Sequence, residues 1–260
     1  MLGSTFYHET VRKCVIGFGT LFNDIHITRK DSSGNTVQSM KVPLAYGPKQ
    51  KFLVRLREDP NITKSVAITL PRIGFEIGTI AYDPTRKLNK IQKVKKPGTA
   101  GNKVDSQYMP VPYNIDFELY AMSKNSDDAL QIVEQILPYF QPEYTITIND
   151  IVQMNNKRDV PIILTGITYE DNYEGDFAER RAIIYTLSFT AKAYLYGPVT
   201  SGQVITKVQV DQFSDSATAA PKREQRYTVT PDPATADFDD DFGFNETTTF
   251  FSDAKTYNPT

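Results

Sequence analysis

The sequence predicts an α+β fold: a mixed, largely antiparallel sheet with two main helices packed on it. Three observations predict it. Short segments with apolar residues at every second position recur along the chain, as half-buried strands require. Two segments instead place apolar residues three and four apart, which puts them on one helical face. Polar stretches containing Gly, Pro, Asn and Asp separate these segments and mark the turns.

The first helical segment is 6–22, where Val11, Cys14, Val15, Phe18, Leu21 and Phe22 share a face. Gly17 and Gly19 weaken it, because glycine carries the largest entropic cost in a helix. Next, DIHITRK and VQSMKVPLAY flank DSSGN, which predicts a β-hairpin. KQKFLVRLRE reads as a short charged helix in preference to an edge strand, and VAITLPRIGFEIGTIAY as a strand interrupted near Pro71 and Gly74. Residues 84–112 show no period; they are basic first and Pro/Gly-rich afterwards, and are expected to form a long loop. In YNIDFELYA, Ile115, Phe117, Leu119 and Ala121 alternate with polar neighbours, which predicts a strand.

SDDALQIVEQILPYFQPEYTITIND packs a helix, a stop and a strand into one stretch. Ser126 or Asn125 can cap the helix, and Asp127 and Asp128 suit the positive end of its dipole. Ala129, Ile132, Val133, Ile136, Leu137 and Phe140 form the apolar stripe, with Gln131, Glu134 and Gln135 expected to face water. Pro138 and Pro142 end the helix, and Tyr144, Ile146 and Ile148 then alternate with Thr145 and Thr147. PIILTGITYED, IIYTLSFTAKAYLYG and QVITKVQV predict further strands.

The 260 residues are 40% hydrophobic and 12% aromatic, a globular composition. Residues 212–260 carry nine Asp/Glu against four Lys/Arg, net −5; the whole chain has 31 and 29, which leaves 22 and 25 before that point, net +3. The expected organisation is a domain over 1–210 followed by an acidic arm over 211–260. Net charge of −2 gives no bulk attraction to nucleic acid or anionic membrane. MLGSTFYHETVRKCVIGFGTLF lacks the apolar run of a signal peptide, and no stretch reaches the ~18 apolar residues of a membrane span. A soluble protein made in a cytoplasm is expected.

Little in the sequence supports catalysis. Cys14 is the only cysteine and falls on a helical apolar face; His8 and His26 are the only histidines and lack ligand spacing. Asp237, Asp239 and Asp241 have the alternate spacing of a calcium loop, but Phe242 stands where the glycine belongs and Thr248 where the final Glu belongs. The carboxylates of EDNYEGD sit in turn-like company, and GFG at 17–19 lacks the Lys-Ser/Thr ending of a phosphate loop. No catalytic residue, metal ligand or cofactor site is expected. Two candidate contacts remain. Lys93, Lys95 and Lys96, in the basic run from Arg86, form a solvated loop, contact protein or face DNA. Phe238, Phe242, Phe244, Phe250 and Phe251 give the acidic arm aromatics suited to a partner's groove or a neighbouring copy.

SQYMPVPYNIDFELYAMSKNSDDALQIVEQILPYFQPEY (106–144) resembles the tail sheath stabiliser, or tail completion protein, of T-even-like contractile-tailed bacteriophages. QIVEQILPYFQP, with SQY and Pro-x-Pro upstream, is its specific part. Weaker similarity runs through FYHETVRKCVIGFGTLFNDIHITRK, VPLAYGPKQKF, TLPRIGFEI and ERRAIIYTLSF, covering most of 1–196. The resemblance implies a tail-terminator-like α+β fold and a non-enzymatic virion protein, assembled in the host cytoplasm. It implies a homohexameric ring at the head-proximal end of the tail, in contact with the tail terminator, the last sheath ring and the neck. DNA would pass through such a ring without sequence-specific binding. A neck or head-completion (connector) protein of the same particle is the alternative.

Overall fold

The computed structural model describes residues 5–57, 70–98, 103–151, 154, 156–172, 182–213, 222–237 and 239–256. In chain order the elements are α1 (Thr10–Leu21), β1 (His26–Lys30), β2 (Thr36–Lys41), β3 (Leu44–Tyr46), α2 (Lys49–Arg57), β4 (Arg72–Tyr82), β5 (Lys93–Pro97), β6 (Lys103–Tyr108) and β7 (Val111–Ser123). They continue with α3 (Ser126–Ile136), β8 (Glu143–Ile151), β9 (Asn156–Asn172), β10 (Ala182–Leu195), β11 (Thr200–Gln203), β12 (Val208–Phe213), β13 (Lys222–Asp232) and β14 (Gly243–Thr256). Strand accounts for 57% of the described residues and helix for 17%. Among the described residues the protein is therefore mostly β, with four sheets, and not an α+β fold of one sheet under two helices.

Two compact units divide the chain: Phe6–Leu88 with Pro110–Tyr196, and Asn89–Met109 with Gly197–Thr260. The larger unit is built on a six-stranded sheet in the order β3-β4-β7-β10-β9-β8, antiparallel except for the short parallel pair β3–β4. Strand β7 is covered on both faces. Ile115, Phe117, Leu119 and Ala121 enter the main core, while Tyr120 and Met122 point the other way into a second cluster with Phe52 and Ile184. Helices α1 and α3 and the β1–β2 hairpin lie on the main-core face; α2 covers part of the opposite face through Phe52.

Helix α1 is anchored by Phe18, which is fully buried. Its ring stacks on Phe117 at 4.5 Å and 10°, with Phe22, Phe75 and Phe189 at 5.0–5.5 Å around it. The two glycines that weaken the helical pattern are the points of closest approach. A Cβ on Gly17 would lie 2.8 Å from Ile146 Cδ1, and one on Gly19 2.8 Å from the Phe75 ring. Helix propensity is given up there so that the helix can settle onto the sheet.

Helix α3 buries Ala129, Ile132, Val133 and Ile136, as the stripe predicts. Its Gln131 and Gln135 are not simply turned to water. Gln131 Oε1 accepts from the Thr28 backbone N–H at 2.9 Å, and its Nε2 donates to the Thr28 carbonyl at 3.0 Å. Gln135 Nε2 donates to the His26 carbonyl at 2.7 Å. The two amides satisfy the outer edge of β1 much as another strand would. Asp128, 2% exposed, is paired with Arg29 at 2.6 Å and completes the attachment.

The smaller unit corrects two expectations. The stretch 84–112, expected as a loop, supplies β5 and β6 and the start of β7; β5 and β6 join β11 in a three-stranded antiparallel sheet. Gln107, 4% exposed, donates to the Gly197 carbonyl at 2.7 Å. The boundary expected at 210 falls inside β12, and the acidic segment beyond it forms β13 and β14 of a second three-stranded sheet. Asp211 holds that sheet together: Arg226 grips both carboxylate oxygens at 2.6 and 2.7 Å, and Arg223 stands 3.5 Å away. No apolar period marks most of these strands, because β6 buries only the polar Asp105 and Gln107 and the others are half-buried or exposed on both faces.

Replacing Phe18 by Ala removes the centre of the aromatic cluster and is expected to cost about 3–5 kcal/mol. Chemical denaturation of the variant against the parent measures this; a loss below about 1 kcal/mol would show that the site collapses around the cavity.

Candidate interaction surfaces

The sequence-predicted lysines fall on β5, an edge strand in the order β11-β6-β5. Strand alternation sets Lys93 and Lys95 on one face and Lys96 on the other. Lys93 Nζ lies 4.5 Å from the centre of the Tyr108 ring, a cation–π contact that leaves the ammonium near solvent. Two of the three lysines thus make one exposed cationic face, and Lys96 is not part of it.

The predicted phenylalanines are likewise divided. Phe244 and Phe250, on one face of β14, are 66% and 75% exposed. Their face of the sheet also carries Val208 and Val210, which are half-exposed. Phe242 meets Phe244 edge-on at 5.6 Å beside a small recess of about 130 Å³. Phe251 lies under the Arg223 guanidinium, 4.2 Å from its ring, and serves the sheet itself. Phe238 lies outside the described residues.

A larger groove of about 430 Å³ opens in the larger unit, between the end of α1 and the turn after α3. Phe22, Phe140, Tyr139 and Tyr144 give it aromatic walls, and Asp24 and Glu134 an acidic rim.

The polar cluster closest in form to an acid–base site is Glu76, Glu118 and Tyr120. Glu76 and Glu118 stand opposite each other across β4 and β7, where like charges repel. The Tyr120 hydroxyl lies 2.5 Å from an oxygen of each. Burial, followed by these two carboxylates, pushes the phenol far above its ordinary range, so it stays a donor. Glu76 also accepts from the backbone N–H of Lys49 at 3.3 Å, satisfying an unpaired group in the first turn of α2. Lys49 Nζ in turn pairs with Glu170 at 2.7 Å. The cluster seats a helix on the outer face of the sheet. His26 is exposed, with Nδ1 3.2 Å from the Asp24 carbonyl. In the acidic run, the Asp237 N–H donates to Asp240 at 2.7 Å. Among the described residues no group of three or more His, Cys, Asp or Glu is arranged to hold a metal.

These are surfaces for contact, and comparison with known proteins agrees with that character. The family model of the T4-like virus Myoviridae tail sheath stabiliser matches residues 5–255. Tail completion protein gp15 of Enterobacteria phage T4 is 31% identical over 229 residues, covering 84% of this chain and 82% of that protein.

The chain belongs to the tail sheath stabiliser family.

The resemblance drawn from residues 106–144 is thereby shown over nearly the whole chain, including the C-terminal strands for which the sequence suggests no counterpart. A tail sheath stabiliser is a structural component of the virion's tail. One device serving rigidity leaves little trace in the sequence. Asp83, 8% exposed, accepts from the Thr85 N–H at 3.0 Å, the Thr85 hydroxyl at 2.6 Å and Arg86 Nε at 2.8 Å. Arg86 continues to the Tyr113 carbonyl at 3.2 Å and Asn114 at 2.7 Å, and its guanidinium lies 5.0 Å from the Tyr194 ring. The clamp pins the end of β4 to β7 and β10, just before the chain leaves the larger unit. Sequence analysis groups Arg86 with the basic loop; the nearby Asp-Pro-Thr-Arg is the signal that separates it.

Hydrogen bonds from Thr85 and then Arg86 hold the Asp83 carboxyl well below the usual carboxylate range. The folded state therefore binds this proton less readily than the unfolded chain. The resulting stabilisation is complete above about pH 5 and is lost as pH falls through the unfolded value of about 3.9 and below. Asp83→Asn is expected to lower the unfolding midpoint at pH 7, with the gap to the parent closing steadily below about pH 4. A gap of equal size at pH 7 and pH 3 would contradict the assignment.

Proposed function

We propose that the protein completes the head-proximal end of a contractile tail as a six-membered ring, stabilises the extended sheath and offers the neck a docking surface. The observation that supports this reading is the span of the family match, 5–255, which runs through both units. The ring contacts the tail terminator and the last sheath ring, and DNA passes through it without sequence-specific binding. The exposed face bearing Phe244 and Phe250 suits docking to another tail or neck protein.

An extended sheath is metastable, so a cap stabilises it only by binding the extended form better than the contracted one. A ring multiplies a small preference: about 1 kcal/mol per subunit gives about 6 kcal/mol for six, on the order of 10⁴ in the equilibrium. Ordinary polar and apolar contacts are sufficient, and no covalent step is needed. Tails assembled without this protein are expected to contract or shed sheath subunits over hours in which capped tails stay extended, as scored by electron microscopy. Equal persistence of uncapped tails would overturn the reading.

A further inference from the structure

Among the sheet margins of the described residues, two strand edges of opposite character stand out. In the larger unit, the outer edge of β1 is covered by Gln131 and Gln135, and β3 is only three residues long. Strand β8 is different. It runs nine residues as EYTITINDI at the margin of the six-stranded sheet, with no Lys or Pro to blunt it.

The direction of its backbone groups follows from two bonds. The Leu164 N–H donates to the Pro142 carbonyl at 3.2 Å, which makes that pair the hydrogen-bonded kind. Alternation then turns the groups of Tyr144, Ile146 and Ile148 toward β9 and those of Glu143, Thr145, Thr147 and Asn149 outward. Lys13 Nζ reaches the Asn149 carbonyl at 2.8 Å from α1, as an outward-facing carbonyl permits. Beside Thr145 and Thr147, the same face carries Glu143 and Asp159; both are exposed, and no basic side chain pairs with either among the described residues.

One margin of the smaller unit's first sheet is the four-residue β11 and the other is β5. The Met109 N–H donates to Gln92 at 3.1 Å, and the Gly98 N–H to Lys103 at 2.9 Å. By the same alternation, Lys93 and Lys95 turn their backbone groups outward, and Pro97, which has no N–H, follows in the outward set. The side chains of Lys93 and Lys95 share one face. An antiparallel register that sets Lys95 opposite Glu143 also sets Lys93 opposite Thr145, with both ammonium groups on the face that holds Glu143 and Asp159.

We propose that the outer edge of β8 pairs with the outer edge of β5 of a second copy, so that each subunit adds a strand to its neighbour around the ring. The two edges are different surfaces, so the contact is head-to-tail and closes by rotation. Main-chain bonds supply adhesion, and the acidic and basic faces fix the register. This inference rests on the ring reading above.

Three variants of the full-length protein test it. Thr145→Pro removes an outward donor while leaving the inward ladder to β9 intact; it is expected to keep its unfolding midpoint and to lose ring assembly by sedimentation. Lys95→Glu and Glu143→Lys, both exposed substitutions, are each expected to weaken assembly about tenfold or more, and their combination to restore it to within a few-fold. Rings from Thr145→Pro as stable as the parent's, or a charge exchange that fails to restore assembly, overturn the contact. Lys95→Glu rings that form normally but impair DNA passage overturn it too and assign the lysine to the channel. A parent protein that stays monomeric both in solution and on tails overturns the ring reading itself, which is a separate outcome.

Discussion

Everything in the larger unit is positioned by the seating of Phe18 among Phe22, Phe75, Phe117 and Phe189. One side chain from α1 meets three adjacent strands of the sheet, β4, β7 and β10, and holds the helix across them. With the helix fixed there, Gly17 lies against Ile146 and Lys13 reaches Asn149, so α1 runs beside the marginal strand β8. The helix braces that strand from the core side and meets its outer edge through Lys13 at the Asn149 carbonyl. A dense apolar contact thus decides the orientation of a polar surface several residues away.

The polar groups of the molecule are mostly spent on holding elements in place. Asp128 with Arg29, and Gln131 and Gln135 with β1, tie α3 to the hairpin. Glu76, Glu118 and Tyr120 seat α2 on the opposite face, and Asp83 with Arg86 fixes the end of β4. In the smaller unit Asp211, its carboxyl held low chiefly by the Arg226 hydrogen bonds, joins β12 to β13. Asp128, Asp83 and Asp211 are each paired with arginine, which offsets the cost of taking a carboxylate out of water. What remains for contact with other molecules is the set left over: strand edges, exposed aromatics on β14 and the acidic groove near Tyr139.

The sequence is most legible where a single face is buried. The stripe of α3, the alternation of β7 and β10 and the turn at DSSGN all follow from period and turn chemistry, and they appear where those signals place them. Legibility fails where period is absent. Strands β5, β11, β13 and β14 are exposed or half-buried on both faces and β6 buries only the polar Asp105 and Gln107, so they carry no apolar alternation, and their charge and Pro content reads as loop or tail; β12 is the exception, read in part from QVITKVQV. That is why an α+β fold is expected from a mostly β protein. Of the candidate contact residues, Lys93, Lys95, Phe244 and Phe250 are exposed in the structure, while Phe251 is engaged by Arg223. The free edge of β8 has no sequence signal at all beyond Thr at alternate positions, because backbone donors and acceptors are the same in every residue. Only the pairing pattern reveals which of them face outward.

The central claim is that a rigid protomer presents backbone groups of β8 for use by its neighbour. Residue-resolved hydrogen exchange, measured on the dissociated chain and on the same protein in assembled tails, tests it most directly. The amides of Tyr144, Ile146 and Ile148 should be protected in both, and those of Glu143 and Thr145 should exchange rapidly in the free chain and slowly in tails. Rapid exchange of Glu143 and Thr145 in assembled tails, or loss of protection at Ile146 in the free chain, would contradict the claim.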